Sequence, residues 1–352
     1  MAARSTFRSA LLRAPALVLV LAGCAPVANQ PSPTASPAMT APTSAAPSPT
    51  AEPAFPVTLT DDEGTAVTIP AEPQKIVSLT PATTETLFEL GVGDRVVGKV
   101  EDIANFPPDA AEIPVVATFA GVDVEQIVDL EPDLVVSAGV GLSQGPAVEQ
   151  LRRANIPVLV SYPTTIDAGI AGIELIGRAV GKAVEGEALA GSIRTRLDDL
   201  AAIAATAATK PRVFYEIDVT NGIFTPPTGS IYGEMFTLAG STPISGDANY
   251  SISLEELVLA DPEVILLGDA AYGQSPETVT AREGWDGMTA VKEGRIVPVD
   301  DIVITRPGPR IADGLYALIV AIHPEIEAQL PSPPATHPPI PPTSLGWLPA
   351  AA

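Results

Sequence analysis

Residues 124–136 and 254–266 pass through the same succession of chemistry, 130 positions apart. In each, a glutamate (Glu125, Glu255) opens a short segment with apolar residues at helical spacing. An acidic residue and a proline (Glu131-Pro132, Asp261-Pro262) stop it, and an apolar run (Leu134-Val135-Val136, Val264-Ile265-Leu266) follows. Proline ends a helix because it lacks an N–H and its ring crowds the preceding turn. A short apolar run bounded by such a break reads as a buried strand. Each copy then continues through a second amphipathic segment to another strand, at 155–160 and 295–299. A strand–helix–strand unit present twice predicts two α/β lobes with a cleft between them.

The ends of the chain have a different character. Arg4, Arg8 and Arg13 precede an apolar run from Ala14 to Val20 that closes on Leu21-Ala22-Gly23-Cys24, the form of a lipoprotein export signal. The run is too short to span a bilayer, and the Cys24 thiol is the natural acceptor for a diacylglycerol. Cys24 is the only cysteine, so no disulfide can form within the chain and cysteine-rich metal sites are excluded. The Pro, Ser, Thr and Ala residues that follow lack apolar periodicity and cannot bury enough surface to fold.

The expected organisation is a signal peptide (1–23), a lipidated Cys24 with a disordered tether (24–55), an N-terminal lobe (56–183), an interlobe helix (184–209), a C-terminal lobe (210–330) and a Pro-rich disordered tail (331–352). The interlobe segment carries apolar residues at helical spacing and would act as a strut. A formal net charge of -23, more negative still once the three signal arginines are removed, excludes nucleic acid as a natural partner. It also disfavours docking flat on anionic lipid, which leaves acylation of Cys24 as the membrane attachment.

Candidate sites are few. Gly141-Leu142-Ser143-Gln144-Gly145 has the spacing of a nucleophile elbow, which raises a surface serine esterase as a distant alternative. Such an enzyme needs a downstream histidine, and the chain has only His323 and His337, so a loop role for Ser143 is the simpler reading. No catalytic residue and no metal ligand set is therefore assigned. Asp61-Asp62-Glu63, in a hairpin turn, and Asp300-Asp301 read as solvated acids.

Aromatic residues beside Pro, Gly or Asn are more informative, because core aromatics sit within periodic runs. Phe106, Phe119, Phe224, Tyr232, Tyr250 and Trp285 qualify, and rings of this kind grip planar or macrocyclic ligands. Packed surface aromatics are the competing reading for each. Arg306-Pro307-Gly308-Pro309-Arg310 is a stiff loop with two cations; either one meets an anionic ligand group, or both pair locally.

Several segments resemble the cobalamin and iron-complex substrate-binding proteins of ABC importers. They are Lys75 to Glu85, Asn105 to Pro108, Gly121 to Glu125, Leu130 to Val135, Leu238 to Gly240 and Arg306 to Arg310, in an order and spacing that span Pro56 to Ile322. The resemblance implies an α/β fold of two Rossmann-like lobes joined by a long interlobe helix, the class III periplasmic-binding-protein type, in a monomeric protein without enzymatic activity or intrinsic cofactor. Its partners would be an ABC permease and ATPase, and its ligand cobalamin or, alternatively, haem or a ferric siderophore.

The Thr118-Phe119 region, the strand Val213 to Glu216 with Tyr215, and the Arg306 to Arg310 loop look closest to the cobalamin binders. Phe119 stands where one of them has a tryptophan over the corrin, whereas Ile103 replaces an expected aromatic. Phe106, Phe119, Tyr215, Phe224, Tyr232, Tyr250, Trp285, Arg306 and Arg310 are thus the expected ligand contacts. Glu125 and Glu255 match glutamates that pair with permease arginines, and the protein would lie outside the cytoplasmic membrane, held by lipidated Cys24.

Overall fold

The computed structural model describes residues 55–332. The export signal, Cys24, the tether through residue 54 and the tail from residue 333 lie outside the described residues. The described chain enters through a hairpin of β1 (Val57–Thr60) and β2 (Ala66–Ile69), with Val57 opposite Ile69. The N-terminal lobe follows with β3 (Ile76–Ser78), α1 (Pro81–Glu89), β4 (Val96–Val100), β5 (Val115–Thr118), β6 (Gly121–Val122), α2 (Val124–Asp129), β7 (Leu134–Ser137), α3 (Gly145–Arg153) and β8 (Val158–Val160).

The helices α4 (Ile166–Ala179) and α5 (Ala183–Ala204) lead on to the C-terminal lobe. It comprises β9 (Arg212–Glu216), β10 (Ile223–Phe224), α6 (Ile231–Leu238), β11 (Thr242–Ile244), β12 (Ser251–Ile252), α7 (Leu254–Ala260), β13 (Val264–Leu267), α8 (Pro276–Thr280), α9 (Thr289–Lys292), β14 (Ile296–Pro298), α10 (Asp301–Thr305) and α11 (Ile311–Ile322). Among these helices none is long and apolar enough to cross a membrane.

The sequence repeat is a structural repeat. The first sheet has the order β6-β5-β4-β3-β7-β8 and the second β11-β9-β13-β14, so β4-β3-β7-β8 corresponds to β11-β9-β13-β14. Every strand pair in these two four-strand sets is parallel. Parallel strands have helices on both faces, which is why β7 and β13 are buried along their whole length and, apart from Ser137 at the end of β7, apolar rather than alternating.

The duplication extends to single side chains. Glu131 and Asp261, each before its proline, both adopt left-handed backbone with φ 51° and 47°, since the following proline ring bars the right-handed helical conformation from them. Two positions on, Asp133 accepts hydrogen bonds from the N–H groups of Gln74 and Lys75 (2.8 and 2.9 Å), at the entry to β3. Its counterpart Glu263 accepts from the N–H of Arg212 (2.9 Å), at the start of β9. A carboxylate after each proline thus fastens the neighbouring strand.

The segment expected as an interlobe helix over 184–209 contains α5, which pairs with α4 in a helical hairpin, and α4 itself enters both cores. Ile166, Ile170 and Ile173 pack with Phe236 and Leu315 of the C-terminal lobe, while Leu175, Ile176 and Ala179 pack with Leu87 and Leu134 of the N-terminal lobe. The 22 residues of α5 span ~33 Å at ~1.5 Å per residue.

The two helices cross at Gly177 and Gly186, where backbone meets backbone. A Cβ on Gly177 would lie 2.8 Å from the Lys182 carbonyl oxygen and 3.0 Å from the Gly186 Cα. Gly177→Ala should therefore lower the unfolding free energy by ~1–2 kcal/mol in urea titration, although alanine is the better helix former by ~0.5–1 kcal/mol. An unchanged or raised midpoint would show that the crossing has slack.

Candidate ligand-binding site

A cavity of about 430 Å³ opens between the lobes, at the carboxyl ends of β3 and β9. That edge is where parallel α/β sheets present their ligands, because the loops there are free of the sheet's hydrogen bonding. The N-terminal lobe contributes Thr80, Thr83, Thr86, Leu142 and Tyr162, and the C-terminal lobe Ser230, Tyr232, Tyr250, Thr305 and Arg306. Gly169, Gly172 and Ile173 of α4 form the floor. The wall is thus made largely from the starts of α1 and α6, the helices that follow the two equivalent strands.

Both helix starts are closed by their own hydroxyls. Thr80 accepts from the Thr83 N–H (3.1 Å) and Ser230 from the Gly233 N–H (3.3 Å), the usual way of satisfying first-turn donors.

Of the hairpin acids, Asp61 departs from the solvated state expected, whereas Asp62 and Glu63 are exposed as expected, though each accepts a backbone hydrogen bond. Asp61 is buried, pairs with Arg152 at 2.8 Å and accepts from the Thr65 N–H at 2.7 Å. Asp62 accepts from the Tyr162 N–H (2.7 Å) and Glu63 from the Val140 N–H (2.9 Å). These two bonds hold the backbone on either side of the cavity wall. The Asp62 carboxyl is raised from the ordinary value, mainly by burial and against the opposing bond from Tyr162.

Arg306 and Arg310 pair across the cleft with carboxylates of the other lobe. The Arg306 fork takes both oxygens of Asp102, with Nη1 3.0 Å from Oδ2, and Nη1 also lies 2.9 Å from Glu85 Oε1. Arg310 grips Glu85 with Nε at 2.9 Å and Nη2 at 2.7 Å. Glu85 and Asp102 are only 1% and 8% exposed. Burial works against the Asp102 charge, yet the hydrogen bonds and charge of Arg306 prevail and hold its carboxyl below the ordinary value. Burial likewise opposes the Arg306 charge, and its carboxylate partners raise its pKa nonetheless.

Between the two arginines, the loop presses its backbone on α1 of the other lobe. A Cβ on Gly308 would lie 3.2 Å from the Ala82 Cβ and 3.3 Å from its Cα, which explains a glycine between two prolines. The sequence left open whether these arginines face a ligand or pair locally. They pair, with partners more than 200 positions away in the chain, and only Arg306 lines the cavity.

Of the expected ligand contacts, the structure brings Tyr232, Tyr250 and Arg306 to the cavity. Tyr215 is instead a core residue: its ring packs on Phe236 with centroids 5.3 Å apart, and its hydroxyl donates to Asp301. Trp285 is also buried, edge-on to Phe214 at 6.1 Å with the Arg282 guanidinium 4.5 Å from its centroid. Both are too deep to touch a ligand. The Phe106 ring lies 3.8 Å from the Arg310 guanidinium carbon, stacked against the ion cluster. Phe119 follows β5, at the same end of the sheet as the cleft, and is 88% exposed. Phe224 is half-buried in the β10–β12 ribbon. The wall residue missed in the sequence is Tyr162, which sits beside a proline and so carried the same signal as those selected.

Asp301, expected to be solvated, accepts the Tyr215 hydroxyl behind this wall. Next to it, Glu216 is fully buried and forms a fork with Arg282 at 2.5 and 2.8 Å. Asp269 is buried with neither oxygen meeting a hydrogen-bond donor. Burial first, and the Glu216 charge second, push its carboxyl up to about 8. Among the described residues no three His, Cys, Asp or Glu side chains converge as metal ligands would.

His323 is buried and held by the Gly240 carbonyl (3.1 Å) and Glu325 (3.0 Å) in the C-terminal lobe. Ser143, in the N-terminal lobe, ends a short 3-10 turn with φ 58°. Among the described residues, the esterase alternative therefore has no triad around Ser143, and His337 lies outside them.

Glu125 and Glu255 occupy the second position of α2 and α7. Both are exposed, and among the described residues neither side chain takes part in a hydrogen bond or ion pair. The valines three residues on are equally exposed, Val128 at 39% and Val258 at 38%.

The chain matches the periplasmic binding protein family over residues 76–303 and belongs to it. Its architecture is the type III form of that fold, and it is a substrate-binding protein, not an enzyme. It is 32% identical to YvrC of Bacillus subtilis, an uncharacterized ABC transporter substrate-binding lipoprotein, over 77% of this chain and 87% of that one. It is 31% identical to a cobalamin-binding protein of Halobacterium salinarum, over 76% of this chain and 74% of that one. Among solved structures it resembles the periplasmic heme-binding protein RhuT of Roseiflexus sp., with a TM-score of 0.64 and 25% identity over 72% of this chain and 99% of that one.

The state of Asp269 makes a pH prediction. Unfolding releases its proton whenever the pH lies between the ordinary value of 3.8 and about 8, so stability falls as pH rises through that window. The slope is at most about 1.4 kcal/mol per pH unit. Asp269→Asn, which keeps the neutral shape, should flatten it in urea titrations at stepped pH. An identical slope in the variant would mean that Asp269 is ionised in the folded protein.

Proposed function

We propose that this chain is the membrane-anchored, extracytoplasmic substrate-binding component of an ABC importer and that it captures a corrinoid, cobalamin, between its lobes. The observation that carries the ligand class is the chemistry of the cavity wall. It consists of threonine, serine and tyrosine hydroxyls with apolar carbon between them, and the one charge on it among the described residues, Arg306, is already neutralised. Cobalamin presents a ring of amide side chains, and hydroxyls serve amides as both donor and acceptor. The likeness to a cobalamin-binding protein supports the same reading. Haem or a ferric siderophore, the alternative ligands, would require Arg306 or Arg310 to meet anionic oxygens, and both guanidinium groups are engaged by Glu85 and Asp102.

A corrinoid exceeds the enclosed volume, so its edge would fill the cavity while the rest lies under the loops at the carboxyl ends of the strands, where Phe119 and Phe106 stand. Tyr232 and Tyr250 supply the ring contacts from the C-terminal lobe. Glu125 and Glu255 form the acidic docking points, one per lobe, for cations of the permease, and the duplicated placement of α2 and α7 gives them equivalent surroundings. Lipidated Cys24 would tie the chain to the membrane through the tether, in the division of the chain set out above, with an ABC permease and ATPase as its partners.

Calorimetric titration of the full chain with cobalamin should give saturable binding at one site, weakened about tenfold by Tyr250→Ala. Absence of a saturable response would remove cobalamin as the ligand. In a separate test, the double variant Glu125→Ala/Glu255→Ala should retain cobalamin affinity while abolishing uptake in cells that depend on this protein. Undiminished uptake would place the docking surface elsewhere.

A further inference from the structure

We infer that Asp102, with Glu85, determines the specificity of the cleft by masking the Arg306 charge, so that the cavity excludes anionic ligands. This inference rests on the proposed cleft as the binding site. Among the described residues lining the cavity, Arg306 is the one that carries a charge. An exposed guanidinium at that point would bind the carboxylate of an entering ligand strongly, because the site is shielded from water.

The division of labour within the cluster is legible in its geometry. Arg310, which does not line the cavity, takes Glu85 with a fork of Nε and Nη2. Arg306 takes Asp102 with its own fork and shares one further bond with Glu85. Two cations face two carboxylates, so the cluster is neutral as a unit. Asp102 is the charge that balances the cavity-lining arginine. Its carboxylate is itself fixed by the N–H groups of Ala104 (3.0 Å) and Phe106 (3.3 Å), so it cannot swing away to admit a competing anion.

Asp102→Asn keeps the shape of this side chain and removes its charge, leaving one uncompensated cation on the cavity wall. The test uses the full chain in detergent, with haem, which carries two carboxylates, and haem dimethyl ester, the same macrocycle without them. The variant should bind haem about tenfold more tightly than the wild type while affinity for the ester stays level. The double variant Asp102→Asn/Arg306→Gln should return the haem-to-ester ratio to the wild-type value.

Should Asp102→Asn fail to fold, Glu85→Gln removes a negative charge from the same cluster and is predicted to move the ratio in the same direction. A folded variant with an unchanged ratio, or a gain that survives replacement of Arg306, overturns the inference. Cobalamin titrated alongside separates the two claims: a wild type that ignores cobalamin defeats the proposed ligand, while the haem-to-ester ratio still decides the masking.

Discussion

Arg306 and Arg310 leave the C-terminal lobe on a Pro-Gly-Pro loop and end against Glu85 and Asp102 of the N-terminal lobe, with all four charges largely out of water. Desolvating charge is costly, and a pair of this kind repays the cost only when its hydrogen bonds are nearly complete. Here they are: both guanidinium forks are filled, Asp102 also receives two backbone N–H groups, and the Phe106 ring covers Arg310. Loss of one partner from such an arrangement typically costs ~3–5 kcal/mol, whereas replacing a whole buried ion pair with apolar residues is often neutral. What the cluster contributes is therefore geometry: it fixes where one lobe stands against the other, beside the cavity.

The remaining architecture reinforces that position. The α4–α5 hairpin inserts side chains into both hydrophobic cores and closes at a glycine crossing, so the connector behaves as part of each lobe rather than as a linker. The cavity lies between this floor and the ion cluster, with walls supplied by two helix starts that the duplicated topology places face to face. Two of its hydroxyls, those of Thr80 and Ser230, are the capping residues those starts require. The repeat that builds the cleft also sets Glu125 and Glu255 on equivalent helices, outside the lining of the cavity.

Much of this was legible in the sequence because it is encoded locally. Periodicity, a proline and a following apolar run identify α2, β7, α7 and β13, and Tyr232 and Tyr250 stand out beside glycine-bearing and asparagine-bearing turns. The same rule selected Trp285, which lies beside Gly284 yet folds inward against Phe214, and it passed over Tyr162. Adjacency to a turn does not say on which side of the backbone a ring falls. Asp61 of the β1–β2 turn was misjudged for a related reason: its partner Arg152 lies 91 positions away in sequence. Above all, the pairing of Arg306 with Glu85 and Asp102 joins residues 221 and 204 positions apart, a relation that one sequence cannot display.

The claim that the ion cluster holds the lobes at a fixed separation before any ligand arrives can be tested by pulsed electron spin resonance. With Cys24 replaced by serine, spin labels at Glu112→Cys and Glu293→Cys, exposed sites in opposite lobes, report the interlobe distance directly. The ligand-free protein should give one narrow distance distribution, which broadens when Arg306→Gln and Arg310→Gln are introduced together. A broad distribution in the protein with both arginines present, or a narrow one that survives their removal, would contradict the account.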